Sequence, residues 1–240
     1  MIKEFLTKNA EENLKHFHEK LIYTKLPIYG IRTEKLRKFA CLLAKNEIRL
    51  DDIENTSHEE ILLKGFVLSK QKWTDVEIIK AFEEFNSCID NWATCDMITS
   101  SLKRLKTENG RRYFLSLLNN TNLYKKRIGI IGLMSFFLND ENLEEIISSL
   151  VSLSNTLSSK TNYSNNGTTE EKIKNLSEYY VKMAISWYLC SLICKNFEYG
   201  KQALQKFSDK LIRNKAISKC HDSFRLSPDQ KEELKKFKYI

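Results

Sequence analysis

The sequence predicts an all-α protein: a HEAT-like helical-repeat solenoid, that is, a curved superhelix of antiparallel helix pairs. Three observations carry this. Only 7 glycines and 2 prolines occur in 240 residues, too few turn residues for the hairpins of a sandwich or barrel. Apolar residues recur at helical spacing between capping signals, and no stretch alternates convincingly as a strand. Helix pairs of roughly 30–45 residues recur without a tidy sequence repeat, as in a degenerate solenoid whose inner face is a natural groove. The expectation is one domain over residues 1–240, with a polar surface loop near 154–169.

Each element follows from local signals. Residues 2–24 read as one or two helices through Ile2, Phe5, Leu6, Leu14, Phe17, Leu21 and Ile22, after which Pro27 and Gly30 break the chain. Thr33 is placed to cap a helix whose stripe is Leu36, Phe39, Ala40 and Leu43. Residues 56–70 follow, with Ser57 as cap, Glu59 and Glu60 in the first turn, and Ile61, Leu62, Phe66 and Leu68 as apolar positions. Thr74 and Glu77 form a capping box for 74–86, whose inner face is Val76, Ile79, Phe82 and Phe85. A helix over 91–106 has Cys95, Ile98, Leu102 and Leu105 as its stripe, and Gly110 opens another to about 118. The strongly apolar helix 123–138 places Arg127 on the same face as Leu123, Ile130, Ile131, Met134, Phe137 and Leu138. Asn139 or Asp140 caps a helix over 141–153, and the Ser-, Thr- and Asn-rich run 154–169 reads as a mobile insertion. The long helix 170–195 carries Leu176, Tyr180, Met183, Ala184, Trp187, Leu192 and Ile193, and Gly200 ends the turn after it. Helices near 201–209 and 211–222 come next, and Ser227, Pro228 and Gln230 open the last.

Charge is segregated. The formal net charge is +8, yet residues 101–127 hold eight Lys/Arg against one Glu, and 201–240 hold eleven against five acids. Ordinary surfaces intersperse both signs, so two basic segments point to a polyanion such as nucleic acid or an anionic membrane surface. A basic face with no specific partner is the plainer alternative. The six cysteines lack a CxxC pair or a His/Cys companion with zinc spacing, and read as reduced, mostly buried thiols of a cytosolic protein. His16, His18, His58 and His221 show no metal spacing, and His16 and His18 read as surface residues. The N-terminus lacks the continuous apolar core of a signal peptide, and no apolar run is long enough to span a membrane. Neither a phosphate-binding glycine loop nor a GxSxG elbow occurs. No cofactor and no metal are expected, and the chain is expected to be a monomer.

Two features carry chemistry. On a helix, Trp92 and Asp96 stand one turn apart, with Lys103, Arg104 and Lys106 following. An indole beside a carboxylate near cations can hold a cation or a sugar-phosphate backbone. The bland reading makes Trp92 a core anchor and Asp96 its solvated neighbour. Arg127, on an apolar face, must find a carboxylate or line a cleft.

The blocks GIRTEKLRKFA (30–40), NWATCDMI (91–98), YKKRIGIIGLMSFF (124–137), YYVKMAISWYLC (179–190) and IRNKAISKCHDSFRLSPDQKEELKK (212–236) together resemble the AlkD-type family of DNA alkylation-repair proteins. These are HEAT-like alkylpurine DNA glycosylases, and the likeness runs in order over most of the chain. It implies that Trp92, Asp96, Arg127 and Trp187 are the working residues. It also implies that the backbone around a lesion is gripped without extruding the base into a snug pocket. The residue types suit that chemistry. A purine alkylated at N3 or N7 is cationic, so its glycosidic bond is already weakened and no general acid is needed. One carboxylate, Asp96, could stabilise the oxocarbenium-like sugar and direct a water. Trp92 and Trp187 would offer π faces to the cationic nucleotide, and Arg127 would bind a phosphate. Lys103, Arg104, Lys106, Arg111, Arg112, Lys125, Lys126, Arg213, Lys215, Lys219 and Arg225 are the candidate DNA contacts.

Three readings follow: a monofunctional glycosylase acting on 3-methyladenine or 7-methylguanine in duplex DNA, a non-catalytic DNA-binding solenoid, and a helical scaffold for a protein partner. A cytoplasmic location, on the nucleoid when bound to DNA, goes with the first.

Overall fold

The computed structural model describes residues 1–139, 141–158 and 169–239, the side chains of 169–174 excepted. Among the described residues every regular element is helical: α1 (Ile2–Asn9), α2 (Glu12–Leu21), α3 (Thr33–Lys45), α4 (His58–Leu68), α5 (Asp75–Phe85), α6 (Trp92–Thr99), α7 (Glu108–Leu117), α8 (Leu123–Phe136), α9 (Leu143–Thr156), α10 (Thr169–Lys195), α11 (Phe197–Gln205), α12 (Lys210–Asp222) and α13 (Pro228–Lys235), with three single-turn 3-10 segments. The all-α class is as the sequence predicts. Two compact units divide at Tyr113 and Phe114, inside α7.

The first unit is built around α4, in which every residue is buried. From Ile61 to Leu68 only Lys64 is charged, a composition suited to an interior, and α3, α5 and α6 pack on it. Its start is a clamp. The buried Glu59 carboxylate accepts the backbone N–H groups of Tyr29 (3.0 Å) and Gly30 (2.8 Å), while His58 N–H donates to Pro27 O (3.1 Å). Gly30 adopts φ 75°, and a Cβ there would lie 2.3 Å from Lys15 N. Only glycine satisfies both demands.

The second unit is organised on α10, against which α8, α11 and α12 pack. Its buried stripe is Val181, Ala184, Ile185, Tyr188, Leu189, Leu192 and Ile193. Ala184, Leu192 and Ile193 are inward as expected, whereas Trp187 points outward, 40 % exposed. Lys182 is wholly buried, and its Nζ donates to Asp209 Oδ2 and to Ser158 O, both at 2.6 Å.

Local signals read well where their partners are near in sequence. Both capping boxes form, Thr74 with Glu77 and Ser227 with Gln230. Other expectations are corrected. Thr33 is the first helical residue behind Arg32, without a side-chain cap. Val76 is 59 % exposed, and Ile78 and Ala81 take its place inward. Phe17 and Leu21 are exposed, and α2 buries no residue fully. Gly110 and Gly200 lie within α7 and α11 rather than at their starts or between helices. A Cβ on them would meet Leu105 O at 1.9 Å and Ile193 Cα at 2.5 Å, so both are close-approach positions. Asn142 stands before α9, and the alternative cap Asp140 lies outside the described residues. Of the expected loop, Ser154–Thr156 still belong to α9, and residues 159–168 lie outside the description.

None of the six cysteines is disulfide-bonded. Among the described residues no group of three or more His, Cys, Asp or Glu could hold a metal ion, and no helix is long and apolar enough to cross a membrane.

Candidate active site

Helix α6 begins where Asn91 Oδ1 accepts the Thr94 N–H at 3.0 Å, the usual N-cap arrangement. Trp92 is its first residue and Asp96 follows one turn later, both half-buried. Thr94, Cys95, Ile98 and Thr99 of the same helix are buried. Gly65 of α4 lets α6 come close, because a Cβ there would sit 2.5 Å from Ile98 Cγ1. Cys95, Ile98, Leu102 and Leu105 are all buried, as their spacing predicts. Trp92 is neither a core anchor nor loose: its Nε1–H donates to Leu21 O at 3.4 Å, at the end of α2. Trp92 and Asp96 thus lie one turn apart on one helix of the first unit.

The helix does not reach 106. It ends at Thr99, and Lys103–Leu105 form a separate 3-10 turn. Ser100 Oγ donates to Asp96 O, and Ser101 Oγ to Met97 O, both at 2.6 Å. Serine hydroxyls that bond back to the i−4 carbonyl compete with the helix ladder, and Arg37 Nη1 draws Ser101 Oγ toward α3 at 3.0 Å. Lys103, Arg104 and Lys106 are therefore exposed on a turn and not on the last turns of the helix.

Arg111 does not join them. It is buried, with Nε 2.8 Å from Glu108 Oε2, whereas Arg112 is exposed on the other carboxylate oxygen, also at 2.8 Å. Hydrogen bonds from the two guanidiniums hold the Glu108 carboxyl at about 2, below its ordinary 4.5. A carboxyl depressed by folding favours the native state above pH 4.5 and loses that contribution as pH falls toward 2. A carbonyl-carbon NMR titration of Glu108 should accordingly give a midpoint near 2. The Arg111→Ala/Arg112→Ala double variant should return it close to 4.5.

In the second unit, Arg127 is buried on α8, and its Nη1 donates to Tyr180 O on α10 at 2.5 Å. The Tyr180 hydroxyl has a raised pKa because burial outweighs the Arg127 charge. Lys125 and Lys126 are half-buried on the same helix. On α12, Lys215 is exposed and Lys219 half-buried, and Arg225 is exposed on the turn that follows. Arg213 is committed elsewhere. Its guanidinium stacks on Tyr239 (4.1 Å to the centroid) and donates to Phe237 O at 3.0 Å. Within each unit, then, Trp92 and Asp96 share α6, while Arg127 on α8 and Trp187 on α10 belong to packed neighbours.

Sequence reasoning missed the support behind α6. His58 is buried against Thr94 and Asn91, and His18, read as a surface residue, is half-buried with its ring 6.2 Å from that of His58. His16 is exposed, between Glu12 and Glu19, as expected. No local pattern pairs residues 36 positions apart.

A family model described as DNA alkylation repair enzyme matches residues 2–217. No curated protein and no solved structure matches the chain.

Proposed function

The chain belongs to the DNA alkylation repair enzyme family, and from that premise we propose that it is a monofunctional DNA glycosylase for cationic N3- and N7-alkylated purines in duplex DNA. The all-helical chain is consistent with the HEAT-like fold of that family. The observation that carries the proposal is α6: one short helix holds a half-buried carboxylate one turn from a half-buried, hydrogen-bonded indole, on its open side.

In this mechanism the substrate supplies the leaving group, because the alkylated base departs as a neutral purine. The Asp96 carboxylate faces the sugar as it gains positive charge and orients a water toward the anomeric carbon. The water passes a proton to the Asp96 carboxylate, which returns it to solvent, as the C–O bond forms, leaving an abasic site. Trp92 packs on the sugar, and its ring is held in place by the Leu21 carbonyl. Trp187, exposed on α10, offers a second indole. Arg127, buried on α8 and bonded to Tyr180 O, is assigned to a flanking phosphate. Lys103, Arg104, Lys106, Arg112, Lys215, Lys219 and Arg225 take the duplex backbone, with Lys125 and Lys126 beside them. Arg111 and Arg213 keep structural partners.

The test is release of free 7-methylguanine from methylated duplex by the purified chain, alongside the salt dependence of duplex affinity. Base release together with a steep fall of affinity with salt supports the proposal. A steep slope without release leaves a non-catalytic DNA binder, and no slope at all leaves a protein scaffold.

A further inference from the structure

We propose that His58 is a positioning residue for Trp92 and Asp96, fixing the first turn of α6 through Thr94 and Asn91. This rests on the reading of α6 as the reacting helix. His58 opens α4 and is 2 % exposed. Its Nδ1 lies 3.1 Å from Thr94 Oγ1 and 3.5 Å from Asn91 Nδ2. An amide nitrogen can only donate. A lone pair on Nδ1 is the match for that amide, which places the imidazole hydrogen on Nε2, and the one Thr94 hydroxyl hydrogen is shared between Nδ1 and Asn91 Oδ1.

The residues that meet His58 are the ones that start α6. Asn91 Oδ1 caps the helix by accepting Thr94 N–H and also accepts the Thr94 hydroxyl at 3.1 Å. Trp92 stands between them in the chain, so a rotation of either moves its indole, and Asp96 follows a turn later. A second support reaches the same ring. Trp92 Nε1 donates to Leu21 O, and Ile22 N–H, beside it, closes α2 onto His18 O at 2.8 Å. The His18 ring stands edge-on to His58 at 6.2 Å. Asp90 completes the joint by accepting Thr24 Oγ1–H (2.8 Å), Lys25 N–H (2.9 Å) and Asn91 Nδ2–H (3.1 Å). One buried imidazole thus borders both anchors of Trp92.

A proton on Nδ1 turns this acceptor into a donor that opposes the Asn91 amide and leaves the Thr94 hydroxyl hydrogen to Asn91 Oδ1 alone. Burial opposes that proton most, the Glu59 charge favours it, the neighbouring His18 opposes it and Asp90 favours it; the balance lowers the His58 pKa below its ordinary 6.5. The unfolded chain therefore takes up the proton first, and native stability falls as pH drops below 6.5. The acceptor arrangement itself persists down to the lowered value and is lost beneath it.

Two variants separate positioning from mere packing. His58→Asn keeps a hydrogen-bonding atom near Nδ1 but cannot titrate, and Thr94→Val deletes the hydroxyl at nearly constant volume. In a chain carrying Trp73→Phe and Trp187→Phe, Trp92 is the one remaining tryptophan. Its emission should titrate below pH 6.5 while helicity stays constant. That titration should vanish in His58→Asn, and Thr94→Val should shift the emission at every pH. In the otherwise unaltered chain, Thr94→Val and His58→Ala should slow single-turnover 7-methylguanine release by about tenfold to a hundredfold, the scale of an ångström-level misplacement. Duplex affinity should stay within about twofold, and His58→Asn should recover most of the rate while removing its acid limb. Emission that titrates identically in His58→Asn, or that ignores Thr94→Val, overturns the inference. If no chain releases base, the glycosylase reading fails, and the emission arm still decides whether His58 positions Trp92.

Discussion

Asp96→Asn is expected to slow 7-methylguanine release by about three orders of magnitude. Opposite unit charges about 4 Å apart attract by about 4 kcal/mol at an effective dielectric near 20. At about 1.4 kcal/mol per decade, that is roughly a thousandfold if the whole interaction develops with the sugar charge. The amide matches the carboxylate in size and keeps its place on α6, so the variant isolates charge from shape. Trp92 still donates to Leu21 O, and Ser100 still bonds the residue-96 carbonyl. Single-turnover release at saturating enzyme reads the chemical step alone, and binding to methylated duplex should change far less than the rate. A rate within tenfold of the parent removes Asp96 from the chemistry.

The largest effect on stability is expected at Lys182→Ala. Its ammonium is wholly buried and held by Asp209, whose side chain is 12 % exposed, and by Ser158 O. Removing one partner of a buried pair leaves the other charge without compensation, which costs about 3–5 kcal/mol. Asp209 also caps α12 by accepting Ile212 N–H at 2.9 Å. The loss should therefore spread to the helix that bears Lys215 and Lys219. Denaturant unfolding should show a lower midpoint for the second unit. Lys182→Met, which fills the volume without the charge, should not restore it, because the Asp209 carboxylate stays unpaired. A midpoint unchanged in both variants means the pair contributes nothing net.

How far the chain could be read before folding depended on the distance between partners. Thr74 with Glu77 and Ser227 with Gln230 are three residues apart, and both boxes form as read. The stripe Leu36, Phe39, Ala40 and Leu43 is buried as its spacing demands. Gly110 and Gly200 looked like breaks because glycine is conformationally permissive, yet both are required by another backbone's approach, which no window reveals. Trp187 reads like Ala184, Leu192 and Ile193 by type, yet those three are buried on α10 and Trp187 is exposed. Arg127 was legible as an anomaly and Tyr180 O as its partner was not, since a carbonyl has no residue signature. His58 was passed over because the test applied to histidine was metal spacing, whereas its partners are a hydroxyl and an amide on a later helix.

The early end of α6 has its own consequence. With Ser100 and Ser101 folding their hydroxyls back onto the helix, Asp96 on α6 and Lys103 and Arg104 on the 3-10 turn sit on separate elements, joined by the three residues Ser100 to Leu102. On the proposed function, a residue added or removed in that connection would shift which nucleotide along the strand meets the carboxylate without altering α6 or the basic turn.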